Sequence, residues 1–299
     1  MDKVNLRLDW VFGSEHAPIF LAKEKGFFRD EGIDVNILAG EGSTVTVKLV
    51  GNRTTEFGYA GADQALMAHG RDLPVVSTAV ILQKSPSAII FPKSSGIKTL
   101  GDLYGKTLGV QLRSNTEKQW RAVEKIQKID NSKIKEVPAD RAIAQLIANK
   151  SIEAGVAFYF NDGLKLVADG TPMDWILFSD VGLPIYSTAL VTNAELIKEN
   201  PDLVHRFTRA FVKGWVYAQA HPQEALDLFL KANPTVDPKY SALKLPEVLK
   251  LTQTADTQKN GIGYSTKENW EAMQKALIEM EMMQTPVDVT KAFTNQFLK

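Results

Sequence analysis

Residues 4–8 (VNLRL) and 33–38 (IDVNIL) alternate apolar with polar side chains, the period-two signature of half-buried strands. Between them, Ile19, Phe20, Ala22 and Phe27 predict a short helix over residues 17–28, stopped near Gly26. Ser43 or Thr44 is placed to cap a helix that runs through Val50 and ends at Gly51. Asp63 is placed to cap another, from Gln64 to His69. Residues 57–60, 75–82 and 88–91 are compact β-rich runs.

The rhythm then restarts. Leu100-Gly101-Asp102-Leu103 reads as a turn, and residues 107–110 as a buried strand. Ser114 and Glu117 form an S-x-x-E capping box opening a helix to about Lys128. A strand at 134–137 follows. Asp140 then caps a helix over 141–149, on which Ile143, Leu146 and Ile147 share a face. Residues 155–160 and 175–178 read as further short strands. Strands alternating with helices of this length mean βαβ units and mixed, mostly parallel sheets, hence an α/β fold. Beyond Val191 the texture turns helical. Asn193 and Pro201 open helices, the second carrying Phe207, Phe211 and Trp215, and His221-Pro222 opens another. Later helices are expected over 246–253 and 266–283, with a short one ending at Leu298. No low-complexity linker separates two domains, so strands passing between them as a hinge are expected.

A length of 299 residues suits two domains at roughly 150 residues each. Lys and Arg total 35 and so do Asp and Glu, so the basic surplus of a nucleic-acid binder is missing. The absence of cysteine removes disulfides, thiolate metal sites and a cysteine nucleophile together. The longest apolar stretch, residues 74–82, falls far short of the ~20 residues of a membrane helix. The N-terminus enters a strand without an apolar run, which fits a cytosolic protein or a mature exported one whose leader lies outside these residues. These features point to a soluble, two-domain protein acting on small molecules. The sequence contains no G-x-x-x-x-G-K-[ST], H-E-x-x-H or G-x-S-x-G. Gly40-Glu41-Gly42-Ser43-Thr44-Val45 misses a dinucleotide fingerprint at its third glycine. His16, His69, His205 and His221 lack ligand spacing. No metal, no cofactor and no catalytic residue is expected.

Leu8-Asp9-Trp10 through His16-Ala17-Pro18, then Ala22-Lys23-Glu24-Lys25-Gly26-Phe27-Phe28 and Glu31-Gly32-Ile33-Asp34-Val35, form the strongest signal. Phe57-Gly58-Tyr59-Ala60-Gly61-Ala62-Asp63-Gln64, Leu73-Pro74-Val75-Val76, Ile97 to Leu103, Gly105 to Val110 and Gly182-Leu183-Pro184 continue it in order. This series resembles the periplasmic substrate-binding proteins of ABC importers, in the branch of thiamine-pyrimidine-precursor, sulfonate and riboflavin binders. The resemblance implies a two-lobed, type II-like periplasmic binding protein with hinge strands and a helical C-terminal part. Lobe one would hold residues 1–91 and 189–299 and lobe two residues 92–188, with crossings near 91–92 and 187–188. It further implies a small-molecule ligand in the cleft and closure by hinge motion. The partner would be a membrane permease, the location periplasmic or extracellular and membrane-anchored, and the chain a monomer with no nucleic-acid partner and no membrane span of its own.

In open α/β sheets ligands sit beyond the carboxyl ends of strands, where helix N-termini offer free N–H groups. That criterion selects residues 10–16, 42–44, 61–63 and 114–115. The Trp10 indole is either an aromatic wall for a planar ligand or packing. His16 is either a ligand contact or a local capping group, and Ser43, Thr44 and Asp63 are either ligand contacts or plain caps. Gln83, a polar amide ending an apolar strand, bonds a ligand or the hinge. Ser114 and Asn115 face the cleft unless Ser114 is only a cap. Tyr159, Asn161 and Asp162 lie in an aromatic-rich strand end, Phe158-Tyr159-Phe160-Asn161-Asp162, and the pyrimidine-precursor binders of the resembled family look similar there. Tyr186 would close the opposite wall. Rings and neutral donors outnumber cations, with Arg113 the obvious one, so a flat heteroaromatic ligand is expected: a thiamine-precursor pyrimidine first, riboflavin or a sulfonate as alternatives.

The pyrimidine-synthesising enzymes that resemble this family look to use a cysteine-rich segment and a cofactor-linked lysine. A chain without cysteine is therefore read as a binder. Met273, Met280, Met282 and Met283 fall on a C-terminal helix with Trp270 and Leu277, as core or as a partner surface.

Overall fold

The computed structural model describes residues 1–139 and 142–299. Ten strands build two sheets: β1 (Asp2–Arg7), β2 (Ile33–Leu38), β3 (Phe57–Gly61), β4 (Val75–Val80), β5 (Ser87–Pro92), β6 (Thr107–Val110), β7 (Lys135–Pro138), β8 (Ala154–Phe158), β9 (Met173–Leu177) and β10 (Thr188–Asn193). The first sheet has the order β2-β1-β3-β10-β4 and the second β7-β6-β8-β5-β9. Parallel pairing joins β1 to β2 and β3, and β6 to β7 and β8. β10 runs antiparallel to both β3 and β4, and β5 antiparallel to both β8 and β9. Each sheet thus has four strands pointing one way and a single reversed strand inserted at the same place. The expected mixed, mostly parallel α/β fold is what forms.

The chain divides into a first unit, Met1–Gln83 with Tyr186–Lys299, and a second, Lys84–Ile185. It passes between them at Gln83/Lys84 and Ile185/Tyr186. The crossings expected near 91–92 and 187–188 are corrected accordingly. The larger shift has a plain cause: β5 is hydrogen-bonded on both edges inside the second sheet, so residues 87–92 belong to that unit.

β2 buries every second side chain, whereas β3 and β4 are buried throughout because helices cover both faces. The long helix Pro201–Ala220 covers one of them with Phe207, Phe211 and Trp215, four residues apart and all fully buried. Phe207 stacks on Phe57 with ring centroids 3.8 Å apart, and Trp215 lies 5.9 Å from Tyr59. Burying one such ring contributes about 1.5–3 kcal/mol. The helix Ala17–Glu24 packs so closely on the same helix that a side-chain carbon at Gly214 would sit 2.6 Å from Ala22. In the second unit Trp120, fully buried on the helix Asn115–Gln127, stacks on Phe178 at 6.1 Å and donates to Glu136 Oε1 at 2.8 Å.

Several element boundaries differ from the sequence reading. The helix expected from Pro246 spans Pro238–Lys250 with Pro246 inside it, because Asp237 caps its start by accepting from the Lys239 N–H at 2.9 Å. The helix Lys267–Glu279 is capped by Thr266 and ends before Met280, Met282 and Met283, which were expected on it; Met273, Met280 and Met283 are buried with Trp270 and Leu277, and Met282 is half-buried. Near Leu298 no helix forms; the nearest is the short 3₁₀ turn Val289–Lys291. Asp140, expected to cap the helix seen at Ile143–Ala148, lies outside the described residues. Among the described residues no helix is long and apolar enough to cross a membrane.

Candidate ligand-binding site

The carboxyl ends of β1, β2 and β3 converge on one edge of the first sheet. The turn after β1 is clamped to the loop after β2, with Gly42 N–H donating to Asp9 O at 2.8 Å and Gly40 N–H to Trp10 O at 2.9 Å. Only glycine fits at residue 40, where a side-chain carbon would lie 1.9 Å from Leu8 O. The clamp fixes the backbone but leaves the side chains outward: Trp10 is 55% and Val11 57% exposed. Of the exposed large apolar residues, Trp10, Val11 and Val45 follow strand ends in the first unit and Leu112 follows β6 in the second.

Of the two readings of His16, the local capping group is the one that forms. The residue is fully buried in the 3₁₀ turn Ser14–His16, and both ring nitrogens are used inside the chain. Nδ1 accepts from Gly13 N–H at 3.3 Å, so Nε2 carries the proton and donates to Asp9 Oδ1 at 2.9 Å. Beside it Glu15 pairs with the buried Lys244 at 2.8 Å. Burial alone would raise the Glu15 carboxyl, but the Lys244 ammonium and His16 outweigh it and hold it below the usual carboxylate range. Tyr59, buried behind His16, accepts from Thr188 Oγ1 at 2.9 Å. Burial and then the Asp9 charge push its phenol well above its ordinary value.

Ser43, Thr44 and Asp63 are not helix caps. Gly42 and Gly61 hold the cap positions of the helices Ser43–Gly51 and Ala62–His69. Ser43 Oγ instead accepts the Gly61 N–H at 2.9 Å, tying the loop after β2 to the end of β3. Thr44 Oγ1 donates to Gln64 Oε1 at 2.9 Å, and Gln64 Nε2 donates to Asp63 Oδ2 at 3.0 Å. Asp63 is therefore held in place while only half-buried, and desolvation raises its carboxyl above the ordinary aspartate value.

Gln83 and Tyr186 turn inward. The Gln83 amide donates to Val80 O at 2.6 Å and Tyr264 O at 3.1 Å, and Tyr186 Oη accepts from Thr266 N–H at 3.2 Å. Both side chains are engaged inside the first unit, at the two crossings, by the segment 264–266.

In the second unit the ends of β6 and β8, which are neighbours, carry the remaining candidates. Ser114 is a true cap: its hydroxyl donates to Gln111 O at 2.6 Å and accepts from Glu117 N–H at 3.1 Å. The return arm of the box is shifted by one residue, Glu117 Oε2 accepting from Arg113 N–H. Asn115 and Arg113 are exposed. β8 stops at Phe158, and Tyr159–Gly163 form a π-helical turn rather than the strand expected through Phe160. Tyr159 is buried and stacked on Trp175 at 4.6 Å, so it lines the core instead of a wall. Asn161 is exposed, and the half-buried Asp162 has its carboxyl raised by desolvation. Sequence reasoning missed a buried polar trio at the start of β5, where Ser85 Oγ bonds Ser87 Oγ at 3.1 Å and Gln119 Oε1 at 3.4 Å. It also passed over Asp9. A buried histidine needs a partner, and Asp9 and Glu15 were the acids within reach.

Among the described residues no group of three or more His, Asp or Glu side chains could hold a metal ion. The arrangement offers a flat exposed ring, fixed carboxylates and neutral donors.

The chain is 25% identical to the riboflavin-binding protein RibY of Chloroflexus aurantiacus, over all of its own length and 86% of that protein's. It is 23% identical to a 4-amino-5-hydroxymethyl-2-methylpyrimidine phosphate synthase of Legionella pneumophila, covering 99% and 92% of the two chains. To the formylaminopyrimidine-binding protein of Halalkalibacterium halodurans it is 22% identical, covering 99% and 90%. The periplasmic aliphatic sulphonate binding protein SsuA of Escherichia coli superposes with a TM-score of 0.74 at 12% identity over 97% of this chain and 91% of that one, so the periplasmic-binding-protein fold is shared. Residues 13–225 match the NMT1/THI5 like family, and the chain belongs to it.

Proposed function

We propose that this protein is the solute-binding component of an ABC import system, capturing a small planar heteroaromatic ligand and delivering it to a membrane permease without transforming it. It would act as a monomer on the outer side of the membrane. The observation that carries the reading is Trp10: a large indole left 55% exposed at the carboxyl end of β1 on a backbone clamped by Gly40 and Gly42. An exposed ring on a rigid support suits stacking, which adds roughly 0.5–1.5 kcal/mol beyond area burial. Ser43, Thr44 and Asp63 share its sheet edge and are proposed as polar contacts; within the second unit, Asn115, Asn161 and Asp162 are candidate polar contacts at the carboxyl ends of β6 and β8.

A thiamine-precursor pyrimidine is the favoured ligand, supported by the formylaminopyrimidine-binding relative and by the carboxylates beside the ring. Riboflavin is the second reading, supported by the full-length match to a riboflavin binder. The absence of cysteine supports binding over the chemistry of the synthase relatives. Calorimetric titration with an aminopyrimidine, riboflavin and an alkanesulfonate tests all three. Trp10→Ala is expected to weaken the preferred ligand at least tenfold, about 1.4 kcal/mol. Failure of every planar ligand to bind, or an unchanged affinity in Trp10→Ala, overturns the reading.

A further inference from the structure

His16 does not touch solvent, yet it holds a group that does. Asp9 is the second residue after β1, directly before Trp10, and its side chain is 23% exposed, with Oδ1 fixed by His16 Nε2 at 2.9 Å. The imidazole is itself oriented by Gly13 N–H on Nδ1, and the Asp9 carbonyl is pinned by Gly42 N–H at 2.8 Å. Among the described residues, Asp9 Oδ2 makes no hydrogen bond. One oxygen is therefore immobilised and the other is free, on the residue that precedes the exposed Trp10 in the chain.

We propose that Asp9 is the residue that selects the ligand, its free oxygen accepting an N–H from the edge of a ring stacked on Trp10, with His16 as the positioning residue. The proposal rests on the planar-ligand reading above and narrows it. An ionised carboxylate only accepts hydrogen bonds, and its bonds to N–H groups are charge-assisted. A carboxylate held by its surroundings loses little freedom on binding, so the acceptor is preorganised. The ligand class that fits carries an amino group on the ring beside a ring nitrogen. A sulfonate would meet like charge at Asp9, with Glu15 close behind it and neutralised by Lys244.

The test titrates wild type, Asp9→Asn, His16→Gln and His16→Ala with 4-amino-5-hydroxymethyl-2-methylpyrimidine and with the same ring lacking its 4-amino group. Wild type is expected to prefer the amino ligand at least tenfold. Asp9→Asn keeps an oxygen for His16 but places an NH₂ where Oδ2 stood, so the preference should vanish. His16→Gln, which can still donate to Asp9, should retain more of the preference than His16→Ala. Equal affinity of wild type for the two ligands overturns the role of Asp9 while leaving the pyrimidine reading intact, and it needs no variant to fold. A preference that survives in Asp9→Asn does the same. Binding of neither pyrimidine by wild type overturns both.

Discussion

At the scale of single residues, the desolvated Asp63 carboxylate at the sheet edge works against the stability of the fold. Desolvation raises the Asp63 carboxyl, so the folded state holds its proton more tightly than the unfolded chain does. Stability contributed by this group is therefore lost as pH rises from the unfolded value, about 3.9, through the raised folded one. Asp63→Asn removes the charge while keeping an oxygen for the Gln64 amide. It is expected to raise the melting temperature at pH 7, with the pH-dependent part of the difference from wild type shrinking as pH falls through the raised folded value and gone below about 4. A lower or unchanged melting temperature at pH 7 would show that the charge is compensated in the fold. A strained carboxylate kept at a site edge fits the usual exchange of stability for binding. The sequence located this residue but misjudged its role: a carboxylate at a helix start looks like a cap, and only the backbone shows Gly61 in that position. For His16 the sequence left ligand contact and local capping open, and the capping arrangement is what forms. The burial of His16 and its bond to Asp9 depend on the helix Pro238–Lys250 packing against its turn, a contact between segments far apart in the chain.

At the scale of elements, local chemistry was the most legible. The strand Ile33–Leu38 and the strand Thr107–Val110 form where alternation and a compact apolar run placed them. Ser114 caps its helix as the S-x-x-E spacing implied, although Glu117 returns to the N–H of Arg113. Its three hydrogen bonds, to Gln111 O, Glu117 N–H and Thr116 Oγ1, are all internal, so its role separates cleanly from ligand contact. Ser114→Ala is expected to cost about 1 kcal/mol in urea unfolding, with Ser114→Asp recovering most of it because aspartate caps as well. Ligand affinity should stay within about twofold of wild type in both; a tenfold loss in Ser114→Ala with stability restored would make the hydroxyl a ligand contact after all. Elements were missed where a local rule has an exception. Pro246 normally opens or ends a helix, yet here it lies exposed within one whose start is set by Asp237 and Pro238. The π-helical turn at Tyr159–Gly163 has no periodicity to betray it, and three successive aromatics read as strand.

At the scale of the whole molecule, strand order was the least legible feature, because alternation tells which face is buried and not which strand lies alongside. Both sheets follow one plan: the second strand, the first, the third, a reversed strand, then the fourth, counted within each unit from β1 and from β6. The reversed strand is in each case the one that follows a crossing, β5 after Gln83/Lys84 and β10 after Ile185/Tyr186. The duplication is visible in topology although no repeat survives in the sequence. Its consequences for the two units are unequal. The second unit is continuous, and its first and last strands, β5 and β9, are neighbours in register, with Phe178 N–H donating to Ser87 O at 3.0 Å. Its ends are therefore adjacent, as in a domain inserted into a loop of another. The first unit is split, and residues 1–83 alone would leave β3 and β4 without the strand that lies between them, and Phe57 without Phe207. A fragment of residues 84–185 is expected to unfold cooperatively in urea and to give dispersed amide resonances. Residues 1–83 alone should show neither, and adding residues 186–299 in trans should restore both. Cooperative folding of 1–83 by itself would mean that the reversed strand is dispensable, and that the return of the chain through β10 completes the first sheet without being needed to form it.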